Sequence, residues 1–153
     1  GGGGLRDIGV YVLGPARYVM GADLENISAK IRFETGFDTF AAVQGTIGAA
    51  TYSAYVSTRM HPHQEMVFHG SEGLLRLTAP FNANIFGEAR IELHQPNLGL
   101  RVEKFPAANH YVHQVEAFGH SIRTGAAYPW TLEQARGTQE AIDKILAIGT
   151  ELP

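Results

Sequence analysis

The chain has 153 residues, of which 44% are hydrophobic and 18% charged, a balance typical of a globular protein that excludes a disordered one. Its net charge is −3 and it has no run of lysine or arginine, which excludes the electrostatic footprint of a nucleic-acid or anionic-membrane binder. Cysteine is absent, so disulfides, thiolate nucleophiles and cysteine-bound zinc are excluded, and the length fits one domain over residues 1–153.

A helix is predicted near the start of the chain, over residues 4–13. Leu5, Ile8 and Val12 recur at helical spacing and form one apolar stripe. Gly14-Pro15 follows, and we expect it to kink or interrupt the helix because proline supplies no N–H. A short second helical turn is expected over residues 16–20.

The hydrophobic period then changes to the alternation of a β-strand. Ile27, Ala29, Ile31 and Phe33 alternate with polar residues, which predicts a strand with one buried face. Three hairpins are predicted after it, over residues 40–47 and 51–58, 65–69 and 74–77, and 90–94 and 100–105. These seven short strands indicate a largely antiparallel open sheet.

Two helices are predicted at the end of the chain. The first has an apolar stripe formed by Tyr111, Val115, Phe118 and Ile122, with Asn109 as its N-cap and Gly125 at its end. The second opens on a Thr131–Gln134 capping box. Its expected buried face consists of Leu132, Ala135, Ile142, Ile145 and Leu146.

This order of elements predicts an α+β fold, with helices packed on one face of a largely antiparallel sheet. The other sheet face carries Phe40, Tyr52, Tyr55 and Val56. Such an apolar face favours contact with a second subunit, so we expect a homo-oligomer. No stretch is apolar and long enough to span a bilayer, no signal peptide is visible, and the lack of cysteine suits a reducing cytoplasm.

Asp7 and Tyr11 are the first candidates for chemistry. They are four residues apart and therefore share one face of the first helix. A phenol beside a carboxylate can donate or accept a proton next to a carbon that loses hydride. The alternative is a surface aspartate near an ordinary buried tyrosine.

The glycines and histidines give weaker signals. Residues 1–4 are all glycine, but Arg6 and the lack of a preceding strand exclude the dinucleotide fingerprint, so we expect close backbone packing at a helix start. His61, His63 and His69 resemble a metal-ligand set, but Pro62 bends the chain between two of them. We therefore predict no metal site, and the alternative of a metal-dependent hydrolase or isomerase stays open.

Two further segments have polar residues at helix ends. Asn109 and Tyr111 begin a helix, where free N–H groups often face a ligand, although a cap and a core anchor explain them equally well. Arg17 follows the expected kink, and we expect it to hold a carboxylate or a group of carbonyls, with no catalytic role.

The sequence GGGGLRDIGVY at residues 1–11, followed by Arg17-Tyr18, resembles the opening of the C-terminal domain in the glucose–fructose oxidoreductase and inositol dehydrogenase (Gfo/Idh/MocA) family. NHYVHQVEAFGHSIRTG at residues 109–125 resembles that family's Asn-x-Tyr/Phe-x-x-Gln helix. Pro129 and QEAIDKILA at residues 139–147 also fit.

The resemblance implies the second domain of a two-domain dehydrogenase. A Rossmann domain upstream would bind NAD or NADP and carry a Glu-Lys-Pro motif, while this α+β domain completes the site for a sugar-like substrate and forms a dimer through its open sheet. By position, it implies Asp7 and Tyr11 as catalytic, with Tyr11 exchanging the proton, and Asn109 and Tyr111 as substrate-binding candidates. This chain alone is expected to be inactive, and the alternative is a non-enzymatic ligand-binding or dimerisation module of the same fold.

Overall fold

The computed structural model describes residues 2–83, 85, 87–106 and 108–153. The chain forms two compact units, one made of residues 1–60 and 129–153 and the other of residues 61–128. In chain order the elements are α1 (Gly4–Met20), β1 (Leu24–Glu34), β2 (Phe37–Ile47), β3 (Ala50–Ser57), β4 (Met66–Gly70), β5 (Gly73–Leu77), β6 (Arg90–Gln95), β7 (Gly99–Lys104), α2 (His110–Thr124), α3 (Leu132–Ile148) and β8 (Thr150–Glu151).

The first unit contains a four-stranded sheet in the order β3-β2-β1-β8. β1, β2 and β3 are antiparallel, and the short β8 runs parallel to β1. Ile47 pairs with Ala50 across a tight turn, where Gly48 adopts φ 58°, a conformation that glycine enters without steric cost. This hairpin confirms the predicted turn near Gly48.

α1 and α3 pack against this sheet, α1 over β2 and β3 and α3 over β1. The large apolar side chains at the centre of this core are less than 2% exposed: Leu5 and Leu13 of α1, Ile31 of β1, Ile47 of β2, and Ile142 and Ile145 of α3. Burying each such side chain contributes about 1.5–3 kcal/mol, so this core dominates the stability of the unit.

α1 is one continuous helix that includes Pro15. Of the kink or interruption expected at Gly14-Pro15, the interruption does not occur, and residues 16–20 continue the same helix. Leu13 and Ala16, on either side of the proline, are both buried in the core, so packing stabilises the helix on both sides of Pro15. α1 ends at Gly21, which adopts the left-handed conformation expected of a C-terminal glycine.

The predicted alternation along β1 holds at Ala29 and Ile31, which are buried, but fails at Phe33, which is 39% exposed. Phe33 lies beside a register shift in the pairing with β2. The pairs Arg32–Phe40 and Phe33–Asp38 place the extra residue, Thr39, on β2, so the regular ladder is interrupted at this end of β1.

The second unit contains a four-stranded antiparallel sheet in the order β4-β5-β6-β7, each strand paired with its sequence neighbour. α2 lies in the same unit, and the apolar stripe predicted on it is exposed: Tyr111 by 60%, Val115 by 71%, Phe118 by 59% and Ile122 by 68%. The helix is therefore amphipathic, as predicted, but none of its residues is buried.

α3 begins at the predicted capping box, in which Thr131 Oγ1 accepts from the Gln134 N–H and Gln134 Oε1 accepts from the Thr131 N–H. Ile142 and Ile145 are fully buried, as predicted. Leu132 is 91% exposed and Ala135 is also exposed, so the buried face begins further along the helix. The first buried residue of α3 is Thr138, whose hydroxyl accepts a hydrogen bond from Arg17 of α1.

The α+β class, the largely antiparallel strands and the helices on one sheet face are confirmed. The strands belong to two sheets, where the prediction placed them in one. Residues 58–65, which separate β3 from β4, form no strand, and Pro62 among them cannot donate to a strand ladder. Within the described part of the chain, no helix is long and apolar enough to cross a membrane.

Tyr52 of β3 faces the helices, and its hydroxyl donates to the Val12 carbonyl at 3.1 Å. Burial raises the pKa of this phenol well above its ordinary value of 10.0. Because the pKa of Tyr52 is higher in the folded state, the buried neutral phenol contributes fully to stability below pH ~10, and that contribution is lost as the pH rises further.

We therefore expect the free energy of unfolding to decrease above pH ~10, measured by urea denaturation across a pH series. Tyr52→Phe has no phenol to ionise, so its stability should decrease less steeply over the same range. At neutral pH it should be about 1 kcal/mol less stable because one hydrogen bond is lost. Parallel pH curves for the two proteins would contradict this assignment.

Candidate active-site helix

The start of α1 is capped by a side chain from another element. Its N-cap residue, Gly3, has no side chain to cap the helix and adopts φ 108°. The carboxylate of Asp38, on β2, takes that role: its Oδ2 accepts from the Leu5 N–H at 2.7 Å. Asp38 is 2% exposed, and a negative charge at this helix end is favoured by the helix dipole.

Gly3 is required by this arrangement. A Cβ atom on Gly3 would lie 1.8 Å from Asp38 Oδ1, far inside van der Waals contact, and φ 108° disfavours any other residue. The expected close packing at the helix start is thus confirmed. The Leu5 N–H already donates to a buried carboxylate that lies against Gly3 and Gly4, so this helix start does not suit the phosphates of a nucleotide.

Asp7 and Tyr11 lie on α1, one and two turns from its start. Asp7 is exposed, and Tyr11 is 44% exposed. Being four residues apart on one helix, they face the same side, so a molecule bound there would meet a carboxylate and a phenol together. The phenol of Tyr11 can donate or accept a proton, and Asp7 can accept hydrogen bonds. The alternative that Tyr11 is an ordinary buried tyrosine is therefore wrong.

Arg17 anchors the other end of α1 and is 8% exposed. Its guanidinium binds Asp23 Oδ1 through Nε at 3.0 Å, and it also donates to the Gln134 carbonyl at 2.7 Å and to Thr138 Oγ1 at 2.5 Å. The Trp130 ring lies 5.7 Å from its central carbon. These partners include both the carboxylate and the carbonyl expected for Arg17, and each of these bonds holds the end of α1.

Asn109 and Tyr111 lie in the second unit. Asn109 Oδ1 accepts from the N–H groups of Tyr111 at 3.1 Å and Val112 at 3.3 Å, which confirms the N-cap. Tyr111 is 60% exposed, so it is not a core anchor, and its hydroxyl donates to Asn82 Oδ1 at 3.2 Å. The two catalytic candidates and the two binding candidates thus belong to different compact units.

The histidine-rich segment forms no metal centre in the part of the chain that the structure describes. No three histidine or acidic side chains there are grouped closely enough to hold an ion. His63 lies 3.7 Å from Glu65, a partner for the protonated ring in an exposed ion pair.

Asp38 is an important residue whose role has only a weak signal in the sequence. An aspartate between Phe37 and Thr39, at the start of an apolar strand, is the one available signal. A charged residue in a strand that reads as buried needs a partner, and the orphan N–H groups of a helix start are one such partner.

The role of Asn109 as a cap leads to a prediction with a matched control. Asn109→Ala should lower the stability of the second unit by about 1 kcal/mol, because the Tyr111 and Val112 N–H groups lose their acceptor. Asn109→Ser keeps a capping oxygen and should restore most of that loss. Thermal denaturation followed by circular dichroism measures both, and equal losses in the two variants would argue against the cap.

Three comparisons place the chain among known proteins. Residues 1–76, about half of the chain, match the sequence model of the GFO/IDH/MocA C-terminal domain. A curated relative from Rhizobium meliloti, the uncharacterized oxidoreductase ORF334, is 27% identical over 152 residues, which cover 95% of this chain and 46% of the relative.

Among solved structures, KijD10, a 3-ketoreductase from Actinomadura kijaniata in complex with TDP-benzene and NADP, superposes with a TM-score of 0.84 at 21% identity, covering 99% of this chain and 49% of that one. The aldose-aldose oxidoreductase of Caulobacter crescentus, complexed with glycerol, has a TM-score of 0.82 at 18% identity, with 96% and 45% covered. These similarities show the same fold. The chain spans about half the length of the proteins it matches.

Proposed function

Because the chain belongs to the GFO/IDH/MocA family and has the fold of its C-terminal domain, we propose that it completes the substrate site of a longer oxidoreductase. That enzyme would transfer a hydride between NAD or NADP and a sugar, polyol or related hydroxyl or carbonyl substrate. The observation that carries the proposal is the Asp7–Tyr11 pair on the exposed side of α1, a helix that is anchored at both ends.

The proton is handled by this chain's own residues. In reduction, Tyr11 would donate its phenolic proton to the carbonyl oxygen. In oxidation, the phenolate that corresponds to the end of that step would take the hydroxyl proton back. Asp7, one turn away, would orient the substrate by accepting a hydrogen bond from a neighbouring hydroxyl. Asn109 and Tyr111 are the proposed binding residues from the second unit, and Tyr111 presents a hydroxyl that already hydrogen-bonds with Asn82.

The nicotinamide cofactor would be held mainly by a domain outside this chain. When bound, it supplies the hydride chemistry, and the protein contributes orientation and proton transfer. The helix start at Gly3 and Gly4 does not fit its phosphates, since the Asp38 carboxylate lies against these two residues. We therefore propose that this chain by itself is inactive.

A homo-oligomer through the open face of the first sheet also belongs to the proposal. Phe40 and Tyr55 stack there with ring centroids 6.3 Å apart, and Tyr55 is 51% exposed. Tyr52 and Val56, which were expected on this face, point toward the helices instead, since Tyr52 bonds Val12 and Val56 is 5% exposed. We propose that the protein is a cytoplasmic dimer. Sedimentation velocity of the purified protein would measure its mass, which should be that of two chains.

The proposed function is tested by extending the reading frame upstream of residue 1 and expressing the longer protein. We expect a Gly-x-Gly-x-x-Gly/Ala turn after a strand and a Glu-Lys-Pro motif, and we expect NADPH oxidation or NADP reduction with a sugar-like substrate. The 153-residue chain should neither bind NADPH nor convert a sugar-like substrate.

Two results would contradict the proposal. Tight NADPH binding by the 153-residue chain would place the cofactor site within it. An upstream sequence without either motif would instead favour a ligand-binding or dimerisation module that keeps the fold and lacks the chemistry.

A further inference from the structure

The helix that carries Asp7 and Tyr11 begins on a residue of the sheet. The bond from the Leu5 N–H to Asp38 Oδ2 joins residues 33 positions apart, and the N-cap residue of α1 makes no side-chain cap of its own. A cap from within the helix would move with the helix. A cap from β2 ties the first turn of the helix to the sheet.

The tie is rigid because it is buried and tightly enclosed. Asp38 is 2% exposed, and its backbone pairs with Phe33 of β1. Its two carboxylate oxygens lie against the backbone at Gly3 and Gly4, where added Cβ atoms would be 1.8 and 3.2 Å away. The carboxylate therefore has little room to shift, and the helix start is held at one depth relative to the sheet.

The proposed catalytic pair is close to this tie. With a helical rise of about 1.5 Å per residue, Asp7 is about 3 Å and Tyr11 about 9 Å along the axis from Leu5. Arg17 fixes the far end of the helix through Asp23, Gln134 and Thr138. Asp38 anchors the end of the helix at which the pair begins.

We propose that Asp38 is a positioning residue for the reaction: it sets the depth and rotation of α1, and so the placement of Asp7 and Tyr11 against the substrate. This inference rests on the proposed function. Misplacing a reacting group by about 1 Å can cost about 100-fold in rate. Removing this anchor should therefore lower turnover, although the substitution is made away from the proposed catalytic pair.

The test compares Asp38→Ala, Asp38→Asn and Ile47→Val. The Asp38→Asn variant keeps an oxygen that can accept from the Leu5 N–H and should rescue part of the effect. Ile47, on the same strand and 1% exposed, controls for general destabilisation, because its side chain is apolar and cannot cap the helix start. Tyr11→Phe reports on the proposed function itself.

The first readout is hydrogen exchange in the 153-residue chain. Asp38→Ala should speed exchange of the Leu5 amide by about tenfold or more, while Ile47→Val should leave it close to the wild-type rate. The second is kcat and KM of the longer oxidoreductase, at a temperature where every variant is folded. Asp38→Ala should lower kcat by about 10- to 100-fold with a smaller change in KM, with Asp38→Asn between it and wild type.

The outcomes separate the two proposals. Unchanged kcat in Asp38→Ala, together with a large loss in Tyr11→Phe, would overturn the positioning role and leave the proposed function intact. An equal loss of kcat in Ile47→Val would also overturn it, since any destabilisation would then have the same effect. Unchanged kcat in Tyr11→Phe would overturn both.

Discussion

Replacing Tyr11 by phenylalanine is expected to lower the turnover of the longer oxidoreductase by about 100-fold or more. The substitution removes one oxygen atom and keeps the ring, so the packing of α1 is preserved. Tyr11 is 44% exposed, and the core of this helix is made by Leu5 and Leu13. The loss should therefore appear in kcat while the free energy of unfolding changes little.

The chain offers a matched control on the same helix. Tyr18 is also an exposed tyrosine of α1, at 59%, and lies two turns beyond Tyr11. Tyr18→Phe removes the same atom and should keep nearly full turnover, measured by NADPH absorbance under saturating substrate. If Tyr11→Phe were as active as Tyr18→Phe, Tyr11 would not exchange the proton.

Replacing Arg17 by alanine is expected to give the largest loss of stability, about 3 kcal/mol in the free energy of unfolding. The guanidinium is 8% exposed and joins α1 to α3 through the Gln134 carbonyl and Thr138 Oγ1. Removing it leaves these acceptors without their charged donor and opens a cavity beside Trp130. For a chain of this size, the melting temperature should fall by about 10 °C.

Two variants separate the buried part of this cluster from its exposed part. The Asp23 side chain is 74% exposed, so Asp23→Ala removes a hydrated partner and should cost about 1 kcal/mol or less. Arg17→Lys keeps the charge but cannot form the same fork of bonds, and it should fall between the two. A large loss in Asp23→Ala with a small loss in Arg17→Ala would reverse this assignment.

Stability and activity should respond differently to the two anchors of α1. Arg17 and Asp38 both hold the helix, but Asp38 lies at the end where Asp7 and Tyr11 begin. In the longer enzyme, Arg17→Lys should lower the free energy of unfolding and leave kcat nearly unchanged. Asp38→Asn should mainly lower kcat, with a smaller change in the free energy of unfolding. This contrast follows from position along one helix and requires no change in the core.

Several elements could be predicted from the sequence because their signals are local. The Asn109 and Thr131 caps, the Gly48 turn and the Gly125 helix end each depend on residues a few positions apart. The backbone groups that they satisfy are in the same short segment, so the pattern is readable without the fold. The shared helix face of Asp7 and Tyr11 is predictable for the same reason.

Other features depend on contacts between distant segments and could not be predicted from local spacing. Pro15 stays within α1 because packing on both sides outweighs the loss of one N–H donor. Phe33 and Leu132 are both exposed although their spacing suits a buried face. Local spacing shows which residues share a face, but not what covers that face.

The class of fold and the family follow from the sequence, which also predicts Asp7 and Tyr11 as the pair that we propose for proton exchange. The tertiary structure adds that Gly3 and Gly4 leave room for the carboxylate of Asp38. Asp38 lies on β2, 33 positions after Leu5, and accepts from the Leu5 N–H. The physical reason is that a helix start needs an acceptor of any origin. Strand register and helix packing together decide which side chain supplies it.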